Sequence, residues 1–159
     1  SQFSAKLDSS FNNDGQFLQN YLLSYFSILA SEALPDSTLV YSISASGGSA
    51  PTTLIKLKFD GTIDSTFALN GLLNYAVGST NASVYEIEKF GNNLFLSGKV
   101  NQVKFVTKID FNGKIDSTFG TNGTTTINYS TPIVSNINSF AFNKNGDIFF
   151  GLKVDLLFE

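Results

Sequence analysis

Glu86 and Glu88 stand two residues apart in an alternating stretch, which puts both carboxyls on one side of a strand. Such a pair could imitate a glycosidase, where one carboxyl protonates the leaving group and the other acts as base or nucleophile. That chemistry needs two carboxyls with separated pKa values, and nothing nearby supplies the difference. Val84 falls on the same side, and an outer strand needs polar residues in any case. Two oxygen-rich segments, Asp110-x-Asn112-Gly113-x-x-Asp116 and Asn143-x-Asn145-Gly146-Asp147, contain parts of a calcium loop. Neither has the full ligand set or a closing Glu, and Asn-Gly chemistry in a hairpin turn accounts for both. Tyr21, Tyr75 and Tyr129 recur at a fixed step and could stack on sugar rings, but three equivalent core positions explain the recurrence better. No residue is assigned to catalysis, to a cofactor or to a metal, and no ligand-binding residue is identified.

The residue types that are missing narrow the chemistry further. The 159 residues include no His, Cys, Met or Trp, and all ten basic residues are Lys. Structural zinc, iron–sulfur, haem and blue-copper sites therefore have no ligands of the usual kind. Ser–His–Asp and Cys–His catalysis and histidine pH switches are excluded as well. No disulfide can form, so cysteine usage does not report the redox compartment. With a net charge of −3 and scattered lysines, a nucleic-acid partner is not expected. The apolar run from Tyr21 to Ala30 is ten residues, about half of what a membrane-spanning helix needs. No signal-peptide pattern is present and the chain does not begin with Met, so it reads as a mature form or an excised piece.

A repeat organises the rest. Leu7-Asp8-Ser9-Ser10-Phe11, Ile63-Asp64-Ser65-Thr66-Phe67 and Ile115-Asp116-Ser117-Thr118-Phe119 align, each with a Gly four residues after the Phe (Gly15, Gly71, Gly123). Asn20-Tyr21, Asn74-Tyr75 and Asn128-Tyr129 step by 54, and the stretch from Leu94 to Val100 matches Ile148 to Val154 at the same offset. A period of this size marks a tandem-repeat architecture.

Within the middle copy, Leu72 to Val77, Ser83 to Phe90, Leu94 to Val100 and Val103 to Ile109 read as four strands, separated by turns such as Gly91-Asn92-Asn93 and Asn101-Gln102. Alternation and abundant Val, Ile, Phe, Tyr and Thr argue for strands over helices. Four short antiparallel strands per repeat match the dimension of one propeller blade. The Asp-Ser-Thr-Phe element is then expected to link the last strand of one blade to the first of the next. Its Asp would accept backbone N–H groups in an Asx-turn, and Phe11, Phe67 and Phe119 would pack between blades.

Asp60 to Phe67 (Asp-Gly-Thr-Ile-Asp-Ser-Thr-Phe) and Asn112 to Phe119 (Asn-Gly-Lys-Ile-Asp-Ser-Thr-Phe), each followed by Asn-Gly, resemble the delta-60 repeat family. Gly98 and Gly151 fit a later glycine of that pattern. The first copy departs from it, with Ala5 in place of the turn Gly and Asn12 after Phe11. The resemblance spans nearly the whole chain and implies a propeller-like β-fold in bacterial secreted or surface-exposed proteins. It carries over no catalytic residue.

The expectation is an all-β chain, one repeat domain over 1–159. Three four-stranded antiparallel propeller-type blades start near 8, 64 and 116 and are cut in mid-blade at both ends. Such an arc is an incomplete propeller on its own, and the stretch from Phe3 to Asp8 reads as a stray fourth strand. Open strand edges make a lone monomer unfavourable. They favour a protein partner or the rest of a longer chain, ahead of a homodimer that closes a six-bladed ring. The expected function is a non-enzymatic scaffold or protein-binding module of an extracellular or surface bacterial protein. A carbohydrate-binding, lectin-like domain is the alternative, and a hydrolase whose site lies on absent blades is the weakest reading. Sequons at Asn81, Asn122 and Asn128 matter only in a host that glycosylates them.

Overall fold

The β-branched and aromatic alternation of the chain builds strands, and no helix among the described residues. The computed structural model describes Ser9 and residues 26–45, 52–101, 103–127 and 134–154. Within them lie β1 (Phe26–Ala33), β2 (Leu39–Ala45), β3 (Thr52–Leu57), β4 (Leu72–Val77), the two-residue β5 (Thr80–Asn81) and β6 (Ser83–Phe90). They continue with β7 (Asn93–Val100), β8 (Val103–Asp110), β9 (Thr124–Ile127), β10 (Val134–Phe142) and β11 (Ile148–Val154). All neighbours pair antiparallel, in three sheets ordered β1-β2-β3-β4-β5, β6-β7-β8-β9 and β10-β11. The sheets thus hold five, four and two strands among the described residues, where the repeat predicts four in each.

The phase of the sheets also differs from the expectation. Leu72–Val77 does not begin the second sheet; it closes the first, with Thr52 opposite Tyr75 and Leu54 opposite Leu73. In the second sheet the same place is taken by β9, with Thr107 opposite Thr124. The Asp-Ser-Thr-Phe element therefore lies inside each of the first two sheets, between its third and fourth strands, and the chain changes sheet after β4–β5. An apolar run signals a strand, but hydrogen-bonding partners decide its sheet.

A two-residue turn at Gly91-Asn92 joins β6 to β7 as the sequence indicates, and Asn101 follows β7 at a φ of +47°, with Gln102 outside the described residues. One departure recurs in every first strand. The register shifts between Ile28 and Ala30 in β1, between Val84 and Glu86 in β6, and between Ile137 and Ser139 in β10. Each is a β-bulge that resets which side the following residues face. So Val84 and Ile87 point the same way, into the core shared with the first sheet, and Glu86 faces the other side, away from Val84. Gly98 sits opposite Val84 at this bulge, and a Cβ on it would collide with the Ser83 carbonyl. Gly151 pairs with Ser139, one register position earlier, so the two glycines are not equivalent.

The sheets stack face to face. Val40 and Leu54 of the first sheet and Val84, Ile87, Leu94, Leu96 and Phe105 of the second form one core. Phe95 and Val106, on the opposite face of the second sheet, meet Phe140, Phe142, Ile148 and Phe150 of the third. A separate buried cluster of Tyr41, Ile43, Ile55 and Leu57 occupies the other face of the first sheet.

Candidate functional site

The repeated turn is the best-defined polar construction in the molecule. Asp64 Oδ1 accepts the Thr66 N–H at 3.1 Å and the Thr66 hydroxyl at 2.7 Å. Asp116 repeats this with Thr118, at 3.0 and 2.5 Å. The Phe67 and Phe119 N–H groups donate back to the Asp64 and Asp116 carbonyls. Gly71 and Gly123 end the two turns at φ of +87° and +88°, a region that favours glycine. A Cβ on either would overlap Ile63 or Ile115. The predicted Asx-turn is present in both copies. Phe67 is fully buried between the first two sheets, as expected, and Phe119 is half-buried, its ring edge-on to that of Phe95 with the two ring centres 5.6 Å apart. Asp8, Phe11 and Gly15 lie outside the described residues, as do the stretch from Phe3 to Asp8, Tyr21, Asn128 and Tyr129.

Each Asp also holds a lysine that motif reading passed over. Lys56 Nζ lies 3.3 Å from Asp64 and 3.6 Å from Asp36, and donates to the Phe111 carbonyl of the second sheet at 3.2 Å. Lys108 Nζ is 2.7 Å from Asp116. The signal was there, since a lysine precedes each Asp by eight residues (56 to 64, 108 to 116). Asp116 is depressed to about 2, chiefly by Lys108 and then by Thr118. Asp64 is lowered first by the Thr66 hydroxyl, with Lys56 contributing. Carboxylates held this firmly ionised serve as fixed acceptors and do not shuttle protons.

The oxygen-rich segments are turns. Asp110 Oδ1 accepts from the Asn112 and Lys114 N–H groups at 2.8 and 2.9 Å, and Asn143 Oδ1 from Asn145 and Asp147 at 2.8 and 3.0 Å. Among the described residues no three acidic side chains gather into a metal site. Glu86 and Glu88 share a face, but it is a half-buried face between packed sheets and not that of an exposed outer strand. Glu86 Oε2 accepts the Phe140 N–H of the third sheet at 3.1 Å. Burial raises the Glu86 pKa, and the Glu88 charge adds to the rise. Its role here is to tie two sheets together.

Tyr75 is enclosed in the first core, its hydroxyl bonded to Thr107, which in turn lies 2.7 Å from the Thr124 hydroxyl. It packs 5.4 Å from Phe105 and presents no face to a sugar. A cleft of about 650 Å3 opens beside Gly78, Thr121, Asn122, Thr125 and Thr126, and among the described residues none that lines it is charged or aromatic. Asn81 and Asn122, the two described sequon positions, are exposed.

An apolar side chain stands open on the third sheet. Phe149 is 60% exposed. Its counterpart one repeat earlier, Phe95, is only 6% exposed because the third sheet covers it, and Val40 of the first sheet is covered by the second in the same way. Ala141, opposite Phe149, is exposed too. Among the described residues no helix is long and apolar enough to cross a membrane. The chain matches no protein-family model, and comparison with curated proteins and with solved structures finds no match to any of them.

Proposed function

We propose that the chain is a non-enzymatic repeat module acting as a scaffold or protein-binding surface, its sheets being successive blades of a propeller-type arc related to delta-60 repeats. Support comes from the recurring Asp–Lys turn, the recurring bulge and the sheet-on-sheet packing built twice in one sense. The resemblance to a family of secreted and surface bacterial proteins supports an extracellular or surface location. The observation that carries the protein-binding role is Phe149, an apolar side chain left open where its counterparts are covered by the following sheet. Burying such a side chain is worth about 1.5–3 kcal/mol to whatever covers it. The carbohydrate-binding alternative leaned on exposed tyrosines, and Tyr75 is enclosed, so protein contact is the preferred reading.

The test is a photoreactive phenylalanine analogue placed at position 149 in the protein on its producing cells, with the exposed turn residue Phe59 as control. A protein adduct from position 149 and none from position 59 is the expected result. Adducts to glycan alone, or no adduct at 149, would overturn the reading.

A further inference from the structure

An Asn-Gly pair occurs four times in the chain, at Asn70-Gly71, Asn112-Gly113, Asn122-Gly123 and Asn145-Gly146. Such a pair can react with itself. Asparagine is a labile residue, and a following glycine has no Cβ to keep its nitrogen away from the carboxamide. All four asparagines are exposed, so access to water does not separate them. The glycine N–H does. That of Gly71 donates to the Phe67 carbonyl at 2.7 Å, that of Gly113 to the Asp110 carbonyl at 3.0 Å, and that of Gly146 to the Asn143 carbonyl at 3.0 Å. The Gly123 N–H has no acceptor among the described residues.

Asn70 and Asn122 form a matched pair. Both stand in two-residue turns closed by backbone bonds, Leu69 with Leu72 and Thr121 with Thr124. Their φ angles are +54° and +52°, and those of the glycines after them +87° and +88°. Turn geometry and exposure agree, and the bond on the glycine nitrogen differs. The Gly71 nitrogen must leave Phe67 before it can attack a carboxamide. The Gly123 nitrogen has no such bond to break.

We infer that Asn122-Gly123 is a self-modification site, at which the asparagine converts to aspartate and isoaspartate with water as the only co-reactant. The Gly123 nitrogen gives its proton to solvent and bonds to Asn122 Cγ. The Cγ–Nδ2 bond breaks, Nδ2 takes a proton from solvent and leaves as ammonia, and a five-membered imide remains. Water opens the imide at Cγ to give aspartate, or at the main-chain carbonyl to give isoaspartate. Aspartate places a carboxylate on a cleft whose described lining is uncharged. Isoaspartate lengthens the backbone of the turn by one methylene. The lengthened turn no longer fits the Thr121–Thr124 bonds or the Lys108 N–H that the Gly123 carbonyl accepts at 3.1 Å.

Peptide mapping by mass spectrometry tests this, on the folded chain sampled over time at neutral and mildly alkaline pH. Each conversion exchanges ammonia for water in the peptide mass, and an isoaspartyl methyltransferase labels the isoaspartate. Asn122 converts faster than Asn70 by roughly 2- to 10-fold, the weight of one hydrogen bond, and the rate rises with pH because the attacking nitrogen must lose its proton. In urea, where the Gly71 bond is gone, the lead disappears. Asn122→Gly, a residue that suits the positive φ of this position, removes the main acidic species that isoelectric focusing resolves in the aged chain. Conversion at Asn70, Asn112 or Asn145 ahead of Asn122 overturns the inference, as does a lead that persists in urea. So does a folded chain unchanged at Asn122 over the time in which the unfolded chain converts.

Discussion

The two Asp–Lys turns are built from the same residues at the same spacing, yet they sit in different surroundings. Around Asp64 the lysine side chain is 5% exposed, a second carboxylate and a carbonyl of the next sheet reach it, and Phe67 is sealed between sheets. Around Asp116 the lysine is 25% exposed and Phe119 is only half-buried. Local hydrogen bonds agree to within a few tenths of an ångström. The turn is thus a property of its own few residues, while its energetic weight is set by the sheet that lies against it.

Truncating the two phenylalanines would separate these contributions most sharply. Phe67→Ala should cost about 3–5 kcal/mol in a denaturant titration, the range for emptying an enclosed aromatic site, and Phe119→Ala about 1–2 kcal/mol. Equal losses would break the comparison. Next come the lysines. Lys56→Met keeps the volume but strands the Asp64 carboxylate in a buried setting, a loss of about 3 kcal/mol; Lys108→Met, nearer to water, should cost clearly less in the same titration.

Acid gives the smallest and most gradual effect. Asp64 and Asp116 both titrate lower in the folded chain than the value of about 3.9 in an unfolded one. Their contribution is therefore complete above about pH 4 and drains away as the pH falls toward 2. Glu86, raised by burial, acts in the opposite sense, its contribution fading as the pH climbs through its own titration. Carboxyl carbon shifts followed by NMR should place Asp116 near 2 in the wild type and move it part of the way back toward its ordinary value in Lys108→Met, where the Thr118 bonds remain. An Asp116 that does not move in the variant would show that Thr118, and not the lysine, holds it down.

Much of the architecture was legible because it is local and periodic. The repeat announces itself in Asp64 and Asp116, the Asx-turns follow from an Asp two residues before a Thr, and the hairpin of β6 and β7 turns at its Gly-Asn pair. Two kinds of information were out of reach. Hydrophobic runs do not name their neighbours, so Leu72–Val77 was placed in the following sheet when it pairs with the preceding one. Counting by twos assumes an unbroken strand, so the bulge at Tyr85 put Val84 on the wrong side of Glu86. The candidate contact residue Phe149 looks like any other apolar strand position until register shows that its counterparts are covered.

The recurring bulges have a bearing on solubility. β1, β6 and β10 are each the terminal strand of a sheet, and an unpaired, flat terminal strand is a template on which further chains can stack into fibrils. The extra residue at Leu29, Tyr85 or Asn138 kinks that strand and sharpens its twist. A straight incoming strand would then lose its ladder halfway along. By repeating the kink with the unit, the chain carries one safeguard against cross-β growth on the first strand of each sheet.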